Sequence, residues 1–320
     1  MKTLNKTVAK IKNYLKCPIC NNLKKKKLIW NDKIRSGNTN GRKTKTGWKS
    51  KALFTEKKEK IYKCSNCDVC FLANIKTYFE GNNDLLRKQF DGSNSIRKYL
   101  DFDKPREIKK INKILKFVNF KNKKVIESYC GAGSILDKIK SKCLKTAGLD
   151  DEIYKNYLEK RGHLFFSNLS QIINSKKKFD IVLSLGEIEH KINPNQFLQK
   201  LKKILLRKGL IVMRIPNHNN IYRFLLGKNF TKYDYRVSHN FYFSEKSLDF
   251  LFRKNNLSII KKIGLNEYSI NHLIDYIKKQ RRVSENNREF FNKKLNLNII
   301  QNIEKNMIST SLLYILRKKN

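Results

Sequence analysis

No stretch of this 320-residue chain approaches the roughly 18 consecutive apolar residues that a membrane-spanning helix requires. A helical membrane protein is therefore excluded. The first residues also lack a continuous apolar segment. Lysines interrupt them, and Leu4, Val8, Ile11 and Leu15 mark one face of a short helix, so no secretory signal is expected. No repeat of fixed period occurs, which removes solenoid architectures. Acidic residues are scarce, with 27 Asp+Glu against 71 Lys+Arg and a formal net charge of +44. Apolar residues are not scarce: 40% hydrophobic and 11% aromatic content supports a real core and excludes disorder throughout. The length suits one enlarged domain or a large domain with a small one. The expectation is a soluble, cytoplasmic protein whose seven cysteines stay reduced and serve as ligands or packing, not as disulfides.

The charge excess has two readings. Lys, Asn and Ile recur along the whole chain, as AT-rich codon usage would give, and a dispersed excess says less than a clustered one. Residues 24–63 are clustered, with 15 Lys+Arg against 3 Asp+Glu. Within them, residues 31–50 are rich in Gly, Asn, Thr and Lys and carry the turn dipeptides Ser36-Gly37 and Asn40-Gly41. This stretch reads as a long loop or ribbon with little core of its own.

Two C-x-x-C pairs bracket it, Cys17 with Cys20 and Cys64 with Cys67. Each pair brings two thiolates to one side of a turn, and four thiolates complete a tetrahedron around Zn2+. Such a closed set leaves no position for water or substrate, so the metal is expected to be structural. Cys70 either substitutes for Cys67 or packs inward. A module this poor in apolar residues would depend on metal to fold.

The organisation follows as a zinc-binding module with a basic insertion over residues 1–80, linking helices over 81–122, and a larger α/β domain over 123–320. Leu85, Leu86, Phe90 and Tyr99, then Ile108, Ile111, Ile114, Leu115 and Val118, recur at helical spacing. From residue 123 short apolar runs at 125–126, 146–149, 164–166, 179–185 and 210–215 alternate with amphipathic segments such as 153–161 and 194–206. That rhythm predicts βαβ units and a parallel sheet with helices on both faces. Runs at 257–260 and 311–316 can supply two more strands.

The chemistry centres on the run Val125, Ile126, Glu127, Ser128, Tyr129, Cys130, Gly131, Ala132, Gly133, Ser134: a strand ending in an acid and a glycine-containing turn that enters a helix. Small residues there let a ligand approach the backbone. The next strand ends in Gly148, Leu149, Asp150, placing a carboxylate where a ribose diol would sit. Asp151 is the nearest competitor.

At these residues the sequence resembles the class I S-adenosylmethionine-dependent methyltransferases, whose first motif runs acid-x-Gly-x-Gly-x-Gly and whose second strand ends in an acid. The resemblance continues through Phe179, Asp180, Ser184, Gly186, Glu187, Glu189 and His190, then Pro194, then Gly209 to Pro216 and Asn217, and in the segment His239 to Ser244. It covers about residues 123–257. It implies a Rossmann-like class I methyltransferase sheet preceded by a small zinc-ribbon-like module, as in the branch containing many sugar and polysaccharide methyltransferases. The sequence departs from the motif at Tyr129, which stands where the first glycine is usual. The resemblance further implies S-adenosyl-L-methionine as cofactor, with Glu127, Tyr129, Gly131 and Gly133 on its methionine side, Asp150 at the ribose and Asn168 at the adenine edge. Residues 184–187, Ser184 among them, would border the sulfonium and the substrate.

Methyl transfer from a sulfonium is an in-line displacement, so alignment supplies much of the rate and a base is needed only to deprotonate the acceptor. His190 is the first candidate base and His239 the second, because imidazole titrates near neutral pH. Glu187 and Glu189 are further options. His163, His218 and His272 have no supporting motif and read as surface or packing residues. Tyr233, Tyr235 and Tyr242 line an acceptor pocket or pack as aromatic core. The expected substrate is a small molecule or sugar, including a nucleotide-linked one. The alternatives are an RNA methyltransferase that grips phosphates through residues 24–63, and a non-catalytic zinc-containing nucleic-acid-binding protein. Against RNA, the basic segment is poor in the interleaved aromatics that base stacking uses, Trp48 and Phe54 being the ones set among its central lysines.

Overall fold

The computed structural model describes residues 12–13, 16–23, 26–38, 42–44, 47–49, 52–75, 96–279 and 290–319. The expected helix carrying Leu4, Val8, Ile11 and Leu15, and the positions Leu85, Leu86 and Phe90, lie outside the described residues.

Strands β1 (Lys12–Asn13), β2 (Lys26–Asp32), β3 (Arg35–Asn38), β4 (Arg42–Thr44), β5 (Gly47–Lys49), β6 (Ala52–Phe54), β7 (Glu59–Cys64), β8 (Cys70–Leu72) and β9 (Asn74–Ile75) make up the amino-terminal part. Strand β2 pairs antiparallel with β7, β3 with β6 and β4 with β5, so the lysine-rich stretch is a folded-back ribbon. Register shifts at Leu28/Trp30 and Arg35/Gly37 interrupt its pairing. Its fully buried apolar anchors among the described residues are Ile34, at the joint between β2 and β3, and Ile61 of β7. That agrees with the expected ribbon of little core.

The larger part runs α1 (Ile96–Ile114), β10 (Lys124–Ser128), α2 (Ser134–Ile139), β11 (Lys145–Leu149), α3 (Lys155–Lys160), β12 (Leu164–Phe166), α4 (Leu169–Asn174) and β13 (Phe179–Leu185). It continues through α5 (Pro194–Ile204), β14 (Leu205–Pro216), α6 (Ile221–Leu226), α7 (Lys228–Asp234), β15 (Phe241–Tyr242) and α8 (Glu245–Lys254). It closes with β16 (Leu257–Leu265), α9 (Ile270–Lys279), α10 (Lys293–Lys305) and β17 (Ser311–Lys318). Every apolar run expected as a strand is one. They form a seven-stranded sheet in the order β12-β11-β10-β13-β14-β17-β16. The first five are mutually parallel, and β17 alone runs antiparallel to its neighbours.

Side chains alternate across this sheet with the period of a strand. Val125, Ile181, Leu183 and Val212 face one side, where Ile111 and Ile114 of α1 and Ile135 and Ile139 of α2 cover them. Ile126, Val182, Ile211 and Met213 face the other, under Phe197, Leu198 and Leu201 of α5 and Leu248, Leu251 and Phe252 of α8. Pro194 opens α5 and Asn193 caps it by accepting from the Gln196 amide.

The amino-terminal part is fused to this second face. Cys17, Ile19, Val69 and Phe71 belong to the same buried cluster as α5 and α8. Strand β15, from the larger part, pairs antiparallel with β8 and completes the sheet β15-β8-β7-β2. The Arg35 amide and carbonyl bond the Tyr235 carbonyl and the Val237 amide, each at 2.9 Å.

Candidate active site and metal centre

The chain enters the large sheet at its centre, runs outward through β11 and β12, then returns to the other side at β13. Ligands in open α/β sheets bind at the carboxyl ends of the strands flanking such a reversal. Here those ends are Glu127 and Ser128 of β10, in register with Leu183 and Ser184 of β13.

The turn leaving β10 places Tyr129, Gly131 and Gly133 in left-handed backbone at φ 64, 53 and 75. Glycine tolerates that region and tyrosine does not prefer it. Tyr129 thus adopts the backbone a glycine would take, while its ring leaves the turn toward His190, with centroids 6.3 Å apart. A Cβ on Gly133 would meet Leu158 at 2.6 Å, and one on Gly148 would meet the Cys130 sulfur at 2.6 Å, so both positions are closed to larger residues. Asp150 holds the turn from the next strand: its Oδ2 accepts from the Gly131 amide at 2.7 Å and its Oδ1 from the Asp151 amide at 2.8 Å. Burial pushes the Asp150 carboxyl up to about 6 despite those two amides. Asp151 instead caps the short turn after it, accepting from Ile153. Asn168 is exposed at the end of β12, where its Oδ1 caps α4 through the Gln171 amide at 2.9 Å.

Around the turn, the buried hydroxyls of Ser128, Tyr129 and Ser134 have no hydrogen-bond partner among the described residues. Buried polar groups are ordinarily satisfied, so three such hydroxyls beside one glycine turn mark a place built for a polar ligand. Sequence reading passed over Ser128 and Ser134. Their signal was their position, flanking the glycine turn on both sides.

Beyond β13, Ser184 donates to Glu187 Oε2 at 3.0 Å, and Glu187 pairs with Lys191 at 2.9 Å. The following turn places Glu189 and His190 against the segment before β15. His190 Nδ1 donates to the Ser238 carbonyl at 2.5 Å, the Asn240 amide donates to the Glu189 carbonyl at 2.9 Å, and Asn240 Nδ2 donates to the His190 carbonyl at 2.8 Å. His190 and His239 meet edge to face with centroids 4.8 Å apart. The structure therefore brings both candidate histidines together with Glu187 and Glu189. Burial changes their chemistry: it lowers His190 to about 4 and His239 well below the usual imidazole range. Burial thus favours the neutral ring at both positions. Burial pushes Glu189 up to about 7, and its Oε2 has no partner among the described residues.

On the amino-terminal side, the four sulfurs of Cys17, Cys20, Cys64 and Cys67 lie within 4.8 Å of one another. Cys17 and Cys67 are 3.6 Å apart at Sγ, as are Cys20 and Cys64. The two knuckles repeat one geometry. The residue after each second cysteine is left-handed, Asn21 at φ 62 and Asp68 at φ 65. Its amide donates to the first cysteine's carbonyl, at 2.9 Å for Asn21 and 3.0 Å for Asp68. Asn and Asp are the non-glycine residues that best tolerate that backbone. The hydrogen bond from Cys67 pulls Cys17 down to about 5, and the same bond with burial pushes Cys67 up. The donors and spacing of the set fit a tetrahedral Zn2+. Cys70 stands apart, buried with Ile34, Ile61 and Tyr235, and burial raises its thiol to about 12. It packs inward.

The remaining histidines are packing residues and none is at the surface. His163 bonds Thr146 Oγ1 at 2.7 Å and Asp137 at 3.0 Å, His218 bonds the Tyr235 hydroxyl at 3.1 Å, and His272 bonds the Tyr222 hydroxyl at 3.0 Å. Tyr235 and Tyr242 are aromatic core, 4.7 Å apart, while Tyr233 lies against Phe54 of the ribbon.

Residues 99–262 match the family described as "Methyltransferase domain". No curated protein shows a significant sequence match. Among solved structures, the chain is similar to a SAM-dependent methyltransferase from Archaeoglobus fulgidus, at 19% identity over 69% of this chain and 99% of that one, with a TM-score of 0.47. It is also similar to a possible histamine N-methyltransferase from Thermotoga maritima, at 17% identity over 70% and 96% with a TM-score of 0.46. A third is the magnesium protoporphyrin IX methyltransferase of Synechocystis, at 12% identity over 74% and 94% with a TM-score of 0.45.

Proposed function

The chain belongs to the methyltransferase-domain family and is an S-adenosylmethionine-dependent methyltransferase; from that premise we propose that its acceptor is a small molecule or a sugar, nucleotide-linked sugars included. The observation that carries this reading is the enclosure of the acceptor end. Glu187, Glu189 and His239 are 3%, 2% and 7% exposed, and the amino-terminal sheet closes over them through β8 and β15. A nucleotide in a duplex would have to be extruded to reach such a site, whereas a small acceptor needs only an opening.

The residues divide the work along the switch point. Glu127, Tyr129, Gly131 and Gly133 bound the methionine side, Asp150 takes the ribose diol and Asn168 stands at the adenine edge. The three unpartnered hydroxyls fit such a ligand. When bound, S-adenosylmethionine supplies an electrophilic methyl carbon on a sulfonium that leaves as a neutral thioether. Ser184 and Glu187 border the place where methyl and acceptor meet, and His190 and His239 face the acceptor there. The neutral His190, its Nδ1 proton committed to Ser238, directs Nε2 lone-pair density away from that bond. The four knuckle cysteines hold a structural Zn2+ that fixes the roof of this site. Residues 1–80, 81–122 and 123–320 serve as zinc module, linking helices and catalytic domain, and the thiol chemistry suits a cytoplasmic setting.

A second reading, RNA as acceptor, has one observation in its favour: the ribbon presents exposed Lys27, Lys33, Lys57, Lys58 and Lys60. Among the described residues no helix is long and apolar enough to cross a membrane. The test is calorimetric binding of S-adenosylhomocysteine followed by acceptor screening. Turnover of free sugars or small acceptors supports the proposal. RNA binding with a steep salt slope together with RNA methylation replaces it by the second reading. Absence of homocysteine-nucleoside binding removes both.

A further inference from the structure

Besides the thiolate set, one cluster among the described residues has the composition of a metal site. Glu189, His190 and His239 each offer a ligand atom, and these atoms lie within 4.8 Å of one another. Two features set it apart from a chance grouping. Glu189 Oε2 is buried with no hydrogen-bond partner among the described residues, in a residue only 2% exposed. An isolated buried carboxylate oxygen is costly unless a proton or cation satisfies it. His190, in turn, donates its Nδ1 proton to the Ser238 carbonyl at 2.5 Å. That is the outer bond that metal-ligating histidines make, fixing the tautomer that leaves Nε2 as donor.

We propose that Glu189, His190 and His239 form a divalent-cation site, distinct from the four-cysteine centre, whose open coordination positions receive oxygen donors of the methyl acceptor. This rests on the reading of the region beyond β13 as the acceptor end. Three protein ligands leave positions unfilled, as in metal sites that bind substrate, whereas four thiolates leave none. Two imidazoles and a carboxylate suit borderline divalent cations such as Zn2+, Mn2+ or Fe2+. The backbone is arranged to hold the ligands: Asn240 ties the Glu189 and His190 carbonyls, so the two halves of the site cannot separate without breaking both bonds.

Four cations face the cluster: Arg236 acts on all three ligands and Arg35 on His239, while the other two are paired with acids. Arg214 is neutralised by Glu267 at 2.6 Å, and Lys191 by Glu187 at 2.9 Å. An acceptor that binds here therefore carries at least one oxygen donor, a hydroxyl, carboxylate or phosphate oxygen, beside the atom that is methylated.

The experiment is titration with Mn2+ of the full-length protein prepared with one Zn2+ per chain, as verified by metal analysis, followed by loss of the free-ion paramagnetic resonance signal. Mn2+ is a poor competitor for thiolates, so the cysteine centre stays occupied by zinc. One Mn2+ per chain is expected, with Glu189→Gln and His239→Asn each weakening it at least about ten-fold, while zinc content stays at one and S-adenosylhomocysteine binding persists. Retained zinc and homocysteine-nucleoside binding show that each variant is folded. No Mn2+ uptake by the wild-type protein, or uptake that both folded variants keep unchanged, overturns the site. Failure of the wild type to bind S-adenosylhomocysteine with Mn2+ uptake intact would instead overturn the methyltransferase reading and leave the cation site standing.

Discussion

Ser244 Oγ donates to the Asp68 carboxylate at 2.5 Å and so ties the amino-terminal end of α8 to the second cysteine knuckle. The same hydroxyl accepts from the Ser247 amide at 3.3 Å as the cap of α8, and Ser247 Oγ accepts from the Ser244 amide at 2.8 Å. Asp68 is also held by Lys63 at 2.6 Å. One serine thus links a helix of the sheet's second face to the metal module.

Ser244→Ala removes the cap and one partner of the Asp68 carboxylate, which keeps Lys63. A lost cap alone costs about 1 kcal/mol, and loss of a charged partner adds to it. The urea midpoint of the zinc-loaded protein should fall by an amount equal to about 1–3 kcal/mol, with zinc stoichiometry unchanged. An unchanged midpoint would mean that this contact carries no net stability.

The knuckles do not form a separable ornament, because Cys17, Ile19, Val69 and Phe71 share one core with α5 and α8. Metal loss should therefore destabilise the whole chain. Cys67→Ser is expected to lose zinc and lower the melting temperature of the single main transition, whereas Cys70→Ala keeps one zinc per chain. Metal content by mass spectrometry beside calorimetric melting decides it, and a Cys67→Ser protein that keeps its zinc would contradict the ligand set.

Much of this arrangement is legible in the sequence, and the part that is not has a common cause. Strands such as 179–185 and the turn at Gly131 and Gly133 announce themselves because their signals are local: a short apolar run, a glycine-bearing turn, an acid at a strand end. The four cysteines are local in pairs. By contrast, the pairing of β8 with β15 joins Phe71 to Phe241, and no periodicity in either segment encodes the other. The fate of Cys70 follows from that pairing, since it opposes Tyr242 and turns into the aromatic core. The histidines show the same limit. His190 and His239 each stood out, but the burial that favours their neutral rings comes from packing between segments distant in sequence, His190 against Ser238 and His239. His163 looked unremarkable because its partners, Thr146 and Asp137, arrive from two other elements.

Asp150 gives the pH dependence a sign. Its folded carboxyl is raised from 3.8 to about 6 by burial, so the fold disfavours the ionised form. Its contribution to the stability of the free protein is full below the unfolded value and is lost as pH rises through about 6. Ligand binding runs the other way, because a ribose diol donates to the carboxylate. S-adenosylhomocysteine affinity should fall as pH drops through about 6, and Asp150→Asn should flatten that dependence while weakening binding at every pH. Isothermal titration at a series of pH values checks both. A profile that Asp150→Asn leaves unaltered would assign the ribose to another residue.

Tyr129 is where the glycine motif and the acceptor end meet, and its hydroxyl separates two roles that the ring alone does not. The phenol is buried without a partner among the described residues, and burial raises it well above its usual value, so it remains a donor awaiting an acceptor. A buried hydroxyl of that kind lowers the stability of the ligand-free protein and regains the loss when a ligand oxygen arrives. Tyr129→Phe keeps the ring and the left-handed backbone but removes the hydroxyl. The ligand-free variant should melt at the same temperature as wild type or higher, while affinity for S-adenosylhomocysteine or for the acceptor falls by a factor corresponding to about 1 kcal/mol. The ligand whose affinity falls is the one the hydroxyl bonds, which decides on which side of the methyl group Tyr129 works. A variant that melts lower and binds both ligands as before would show instead that the hydroxyl serves the fold.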